Sequence, residues 1–111
     1  VSGTVDREPD AALPARVHLQ QNYPNPFNPL TTIRYELDAP AQVRLHVFDV
    51  SGRRVQTLDA GTRPAGAFAV RWDGTDFEGR AVPSGVYLYR LELALGDGRT
   101  VSESKKMILL K

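Results

Sequence analysis

Apolar and polar residues alternate with a period of two through most of this chain. In 31–37 Ile33, Tyr35 and Leu37 face one way, while Thr32, Arg34 and Glu36 face the other. In 42–49 Val43, Leu45 and Val47 share a face against Arg44, His46 and Phe48, and Val55 marks a short return strand over 54–58. Phe68, Val70 and Trp72 line one face of 66–72, and Tyr87, Tyr89, Leu91 and Leu93 one face of 86–95. Val17 and Leu19 make a brief first strand over 17–20, and 100–110 the last. A period of two is that of a half-buried strand. Turn chemistry separates the runs: Asp38-Ala39-Pro40-Ala41, Val50-Ser51-Gly52-Arg53, a longer connection over 60–65, a loop over 73–80, and Gly96-Asp97-Gly98-Arg99. About seven short strands with turns between them and no helical period predict an all-β fold, an immunoglobulin-like antiparallel sandwich. A small barrel is the other architecture the pattern allows.

One stretch breaks the alternation. Asn22, Tyr23, Pro24, Asn25, Pro26, Phe27, Asn28 and Pro29 hold three X-Pro steps and three Asn. Proline fixes its own φ, biases the preceding residue away from the helical region and cannot donate to a ladder. Asn bonds its own backbone in tight turns. This predicts a rigid corner docked on one end of the sandwich, with the Tyr23 and Phe27 rings packed against it. Trp72 is the expected anchor of the core.

The 111 residues suit one domain, and a chain of this length buries roughly two-thirds of its unfolded surface. Residues 1–16, with two Pro and five charges of both signs, read as a linker or tail; 1–5 is also a poor candidate for a donated strand. The domain proper is then 17–111. A net charge of +1 argues against non-specific nucleic-acid binding. Without Cys there is neither disulfide framework nor thiol chemistry. No run approaches the roughly 20 apolar residues of a membrane span, and a chain that starts at Val1 with no signal peptide reads as processed or excised.

Candidate chemistry is sparse, and the reading is of a non-enzyme without cofactors. His18 and His46 stand on the outward phase of separate strands, and no spacing joins either to a carboxylate. Ser51, Ser84, Ser102 and Ser104 lie in turns or the last strand, outside any nucleophile-elbow pattern. Asp73, Asp76 and Glu78 form a weak calcium candidate, lacking the order of an EF-hand. Phe48, Tyr23 and Phe27 offer a minor sugar-platform reading. The end of the chain, Lys106, Met107, Ile108, Leu109, Leu110 and Lys111, reads either as a last strand with Lys gatekeepers or as a terminal address.

Taken in order, the blocks NYPNPFNP, DxxGR, WDGxDxxG and SGVYxYRL, with KKMILLK at the end, resemble the type A C-terminal sorting domain of the type IX (Por) secretion system of Bacteroidetes-like bacteria. The resemblance runs over about 17–111. The middle and late blocks also resemble the immunoglobulin-like domain of the flagellar hook-capping protein. The sorting resemblance implies a non-catalytic label on an N-terminal passenger, recognised by a translocon, shuttle proteins and a sortase. The label would pass through the periplasm to the outer membrane and the cell surface or beyond. It would place the signal at Lys106 through Lys111 and cleavage within 1–16. From another class comes a structural subunit that self-associates into an extracellular fibre by strand donation or edge pairing. A carbohydrate-binding module is the third reading.

Overall fold

A computed structural model describes residues 17–111. The linker, donated-strand and cleavage readings of 1–16 lie outside the described residues. These form seven strands: β1 (Val17–Leu19), β2 (Thr31–Leu37), β3 (Ala41–Phe48), β4 (Arg54–Arg63), β5 (Gly66–Trp72), β6 (Gly85–Ala94) and β7 (Thr100–Leu109). They make two antiparallel sheets, β1-β2-β5 and β4-β3-β6-β7. The chain passes from the first sheet to the second after β2, returns for β5 and crosses again for β6. The antiparallel sandwich expected from the alternation is the fold.

The alternating apolar positions meet between the sheets. Ile33, Tyr35 and Leu37 from β2 face Val43, Leu45 and Val47 from β3, with Tyr89, Leu91 and Leu93 of β6 beside them in register. Met107 and Leu109 of β7 are also buried. Burying each such side chain contributes roughly 1.5–3 kcal/mol, so this one layer dominates stability. Trp72 closes one end, 5.6 Å from Phe27 and 5.5 Å from Tyr87 between ring centroids. Its Nε1–H donates to the Thr75 carbonyl at 2.9 Å, which satisfies the one polar group a buried Trp brings.

Two details differ from the alternation. β4 runs on to Arg63, through residues that read as a connection. Its register against β3 shifts between Leu45 and His46 and again between Val47 and Phe48. As an edge strand it tolerates Gly61 at φ +144°, and it ends before Pro64, which has no N–H to give. The second difference is His46. It sits on the outward phase yet is buried, its Nδ1 3.0 Å from the Thr57 hydroxyl and its ring 6.0 Å from that of Phe48. A central strand of a four-stranded sheet has neighbours on both sides, and these cover the ring.

Candidate functional site

The Asn/Pro loop and the last strand form one structure. The Phe27 N–H donates to the Ile108 carbonyl (3.0 Å), and the Leu110 N–H donates back to Phe27 (2.9 Å). Asn25 Oδ1 accepts the Ile108 N–H at 2.9 Å, and Gln21 Nε2 donates to the Lys106 carbonyl at 2.8 Å. Two amide side chains and one extended residue thus stand in for a neighbouring strand along the outer edge of β7. An unpaired edge is a template for association, and covering it blocks that. Phe27 is buried, with its ring against Trp72 and its backbone bridged to Leu109, whereas Tyr23, expected to pack, is 75% exposed. Its backbone instead pairs with Thr32, and this turns its ring out.

Asn22 is the buried pivot of the loop, at 2% exposure. Its Nδ2 donates to the Pro24 carbonyl (3.1 Å) and to Thr31 Oγ1 (3.0 Å), and Thr31 Oγ1 donates to the same carbonyl at 2.8 Å. Its main-chain N–H donates to the Tyr89 hydroxyl at 2.8 Å; that hydroxyl donates to the Gln20 carbonyl at 2.7 Å. Burial of Tyr89 pushes its pKa up to about 12. A second tie joins the sheets: Tyr35 OH donates to Asp59 Oδ2 at 2.8 Å, and Arg63 pairs with the same carboxylate. Burial, then the hydrogen bond to Asp59, raises the Tyr35 pKa further still. Both phenols act as structural donors.

The acids of the turns are spent on their own backbone. Asp49 Oδ1 accepts the N–H groups of Ser51 (2.9 Å) and Arg53 (3.1 Å) and the Ser51 hydroxyl; that hydroxyl, first among the causes, lowers its pKa. Asp76 repeats the pattern with Glu78 (2.9 Å) and Arg80 (3.0 Å). The pentapeptides Asp49–Arg53 and Asp76–Arg80 share Asp first, Gly fourth and Arg fifth, with Gly52 at φ +87° and Gly79 at +80°, a conformation glycine adopts without strain. The signal was visible in the sequence as this repeat. Asp73 Oδ1 accepts the Thr75 hydroxyl at 2.6 Å, and Glu78 pairs with Arg80. Asp73 therefore serves its own turn, while Asp76 and Glu78 share Arg80. Among the described residues no three His, Asp or Glu groups converge as a metal set would.

The remaining sequence candidates also stay apart. His18 reaches Asp38, with Nε2 3.3 Å from Oδ1, on the exposed surface. Ser51 and Ser84 serve turns; Ser84 Oγ accepts the Lys111 N–H at 3.0 Å. Ser102 and Ser104 line a shallow polar groove of about 520 Å³ on the outer face of the four-stranded sheet, with Gln42, Arg44, Arg90 and Glu92. The Arg90 guanidinium covers the Phe48 ring at 4.8 Å. Phe48, Tyr23 and Phe27 do not make one platform: the first is under Arg90 and the last in the core. Met107 and Leu109 belong to the core, and Lys106, Ile108 and Leu110 give backbone groups to the loop.

Seven strands in two antiparallel sheets with one apolar layer between them define the class: an all-β, immunoglobulin-like sandwich. Residues 29–97, more than half of the chain, match the family model of the FlgD Ig-like domain, and the chain belongs to that family. It is 32% identical over 82 residues to the basal-body rod modification protein FlgD of Salmonella typhimurium, covering 73% of this chain and 35% of that protein. The chain thus spans about a third of the curated relatives it matches. Among solved structures it is similar to FlgD from Xanthomonas campestris (TM-score 0.61, 19% identity, 89% of this chain and 73% of that one). It is also similar to FlgD from P. aeruginosa (TM-score 0.51, 25% identity, 69% and 61%). A dimeric latent PorU from Porphyromonas gingivalis shares the fold at TM-score 0.73 and 25% identity, over 87% of this chain and 9% of that one.

The FlgD match corrects the functional reading of the sequence. The blocks shared by sorting domains and hook-capping domains are the turn and strand blocks of one sandwich, and the family they identify here is the latter. The type IX sorting function, with its translocon, shuttle and sortase partners, is set aside. So are the fibre-subunit and carbohydrate-binding alternatives.

Proposed function

We propose that this chain is a non-catalytic structural module of a FlgD-type protein, acting by protein contact in flagellar rod and hook assembly. The observation that carries this reading is the match of residues 29–97 to the FlgD Ig-like domain. The roles of two relatives support its direction: basal-body rod modification for the Salmonella protein, and hook capping essential for flagellar assembly for the Xanthomonas one. The geometry agrees with a contact role. Asp49 and Asp76 serve their own turns and Tyr35 and Tyr89 tie the sheets, and what the fold offers is a rigid surface with a covered edge. Residues 1–16 serve as a tether to the rest of such a protein, and the module works at the cell surface or outside the cell. A chain without Cys has no thiol to oxidise there.

A domain exchange tests the reading. Residues 17–111 replace the matching segment of Salmonella typhimurium FlgD in a strain lacking FlgD, and hooks are counted by electron microscopy. The expected result is restored hooks. Stable, exported chimera with no hooks would contradict the reading. Labelling of intact cells with a membrane-impermeant amine reagent checks the location.

A further inference from the structure

The large apolar side chains left exposed among the described residues are Tyr23, Leu30, Val50, Phe77, Val86, Leu88 and Leu110. The register puts them all toward one end of the sandwich, where β2 and β6 begin and β3, β5 and β7 finish. The opposite end, with the 38–40, 64–65 and 95–99 turns, has none of them.

Two notches at the apolar end adjoin. One, about 260 Å³, lies between the β3–β4 turn and the start of β6, lined by Val50, Val55, Val82, Pro83, Val86 and Tyr87. The other, about 300 Å³, lies under Phe77 and shares Arg53, Val55 and Val82 with the first. They stand at and just below the lower bound of the roughly 300–1,000 Å³ of a small-molecule site, a size that suits a side-chain anchor.

The rim is cationic in what it presents. Arg53 and Arg80 are 82% and 73% exposed at the side chain, against 21% and 32% for Asp49 and Asp76, whose Oδ1 atoms accept from their own turns and whose Oδ2 atoms lie 3.4 and 3.9 Å from the Arg53 and Arg80 Nε. The Arg54 guanidinium lies 5.9 Å from the Phe77 ring centroid. Lys111 is held at the same rim through Ser84. Glu78 is on the rim too, paired with Arg80. Arginine and aromatic side chains around a desolvated pocket are the composition of a binding hot spot.

We propose that this end docks an acidic segment of a partner protein, which seats an apolar side chain between Val50 and Val82 and sets carboxylates against Arg53, Arg54 and Arg80. The proposal rests on the reading of the domain as a contact module. Its failure would leave that reading to the domain exchange, which measures hooks and not this surface.

The test titrates the ¹⁵N-labelled chain with an acetylated, amidated hexapeptide carrying Leu-Phe at its centre and two acidic residues on each side. Amide shifts are expected at Val50, Arg53, Arg54, Phe77 and Val82. Affinity should fall at least tenfold when the acids become Ser or Lys, and at least fivefold in Arg54→Ser and in Phe77→Ala. These two exposed substitutions leave the core intact, which the unchanged shifts of β3 and β6 would show. A rise from 50 to 200 mM salt should weaken binding, as it does between exposed charges. Shifts confined to the Arg44–Arg90 groove, equal binding of the Lys peptide, or the same shifts on raising the protein concentration alone would each overturn the proposal.

Discussion

The Tyr89 hydroxyl sits between two main-chain groups of the residues that follow β1, donating to Gln20 and accepting from Asn22. Tyr89 belongs to the four-stranded sheet and Asn22 to the loop leaving the three-stranded one, so a single phenol joins the sheets and sets where the Asn/Pro loop starts. In Tyr89→Phe the buried Asn22 N–H and Gln20 carbonyl lose their partner. The expected cost is about 1–3 kcal/mol, read as a lower denaturant midpoint with unchanged slope.

Phe27 is held by backbone bonds to β7 and by its ring against Trp72. Phe27→Ala is expected to cost about 3–5 kcal/mol. Because its backbone also bonds Ile108 and Leu110, the loss should appear first as weakened protection of the last strand. A uniform loss across β3 and β6, with β7 unaffected relative to them, would contradict this placement.

The Tyr35–Asp59–Arg63 tie predicts non-additivity. Asp59→Ala leaves a buried phenol without an acceptor and should cost about 1–3 kcal/mol. Adding Tyr35→Phe removes the orphan hydroxyl, so the double variant should be less destabilised than the sum of the singles. Strict additivity in a thermodynamic cycle would contradict the bond.

Stability should fall with acid in two stages. Burial, against the pull of Glu92, lowers the His46 pKa, so the unfolded chain takes a proton first. Its contribution is complete above the ordinary His value of about 6.5 and is lost as pH falls toward the folded value. Asp49 and Asp97 have lowered pKa values through bonds from the Ser51 hydroxyl and the Arg99 N–H respectively. Their contribution is present above the ordinary Asp value of about 3.9 and is lost as pH falls through the folded values. His46→Gln should flatten the first stage and leave the second. Urea midpoints from pH 8 to 3 measure both.

The strands and the facing of nearly every core residue could be read from the alternation, since period two with turn residues between has few other solutions. Val43, Leu45 and Val47 show this most plainly. The run of β4 through Gly61 could not be read, because a register shift against β3, not side-chain pattern, carries the strand onward. The burial of His46 comes from neighbours on adjacent strands, which no local window contains. The roles of Gln21 and Asn25 were equally hidden: a polar amide next to Pro reads as a turn residue, and only the fold brings it to the edge of a strand more than eighty residues away. The end of the chain was ambiguous for the same reason, since Met107 and Leu109 look alike as a strand and as a tag. The family model covers 29–97, which leaves out most of the loop and all of β7, the two segments that bind each other.

Hydrogen exchange at Ile108 and Leu110 tests most directly whether the Asn/Pro loop fixes the last strand as part of one rigid unit. Both N–H groups lie within four residues of the end of the sequence, bonded to Asn25 and Phe27. The expected result is protection close to that of the β6 amides, selectively reduced in Asn25→Ala at Ile108. Exchange at the rate of a frayed terminus, unchanged by Asn25→Ala, would contradict it.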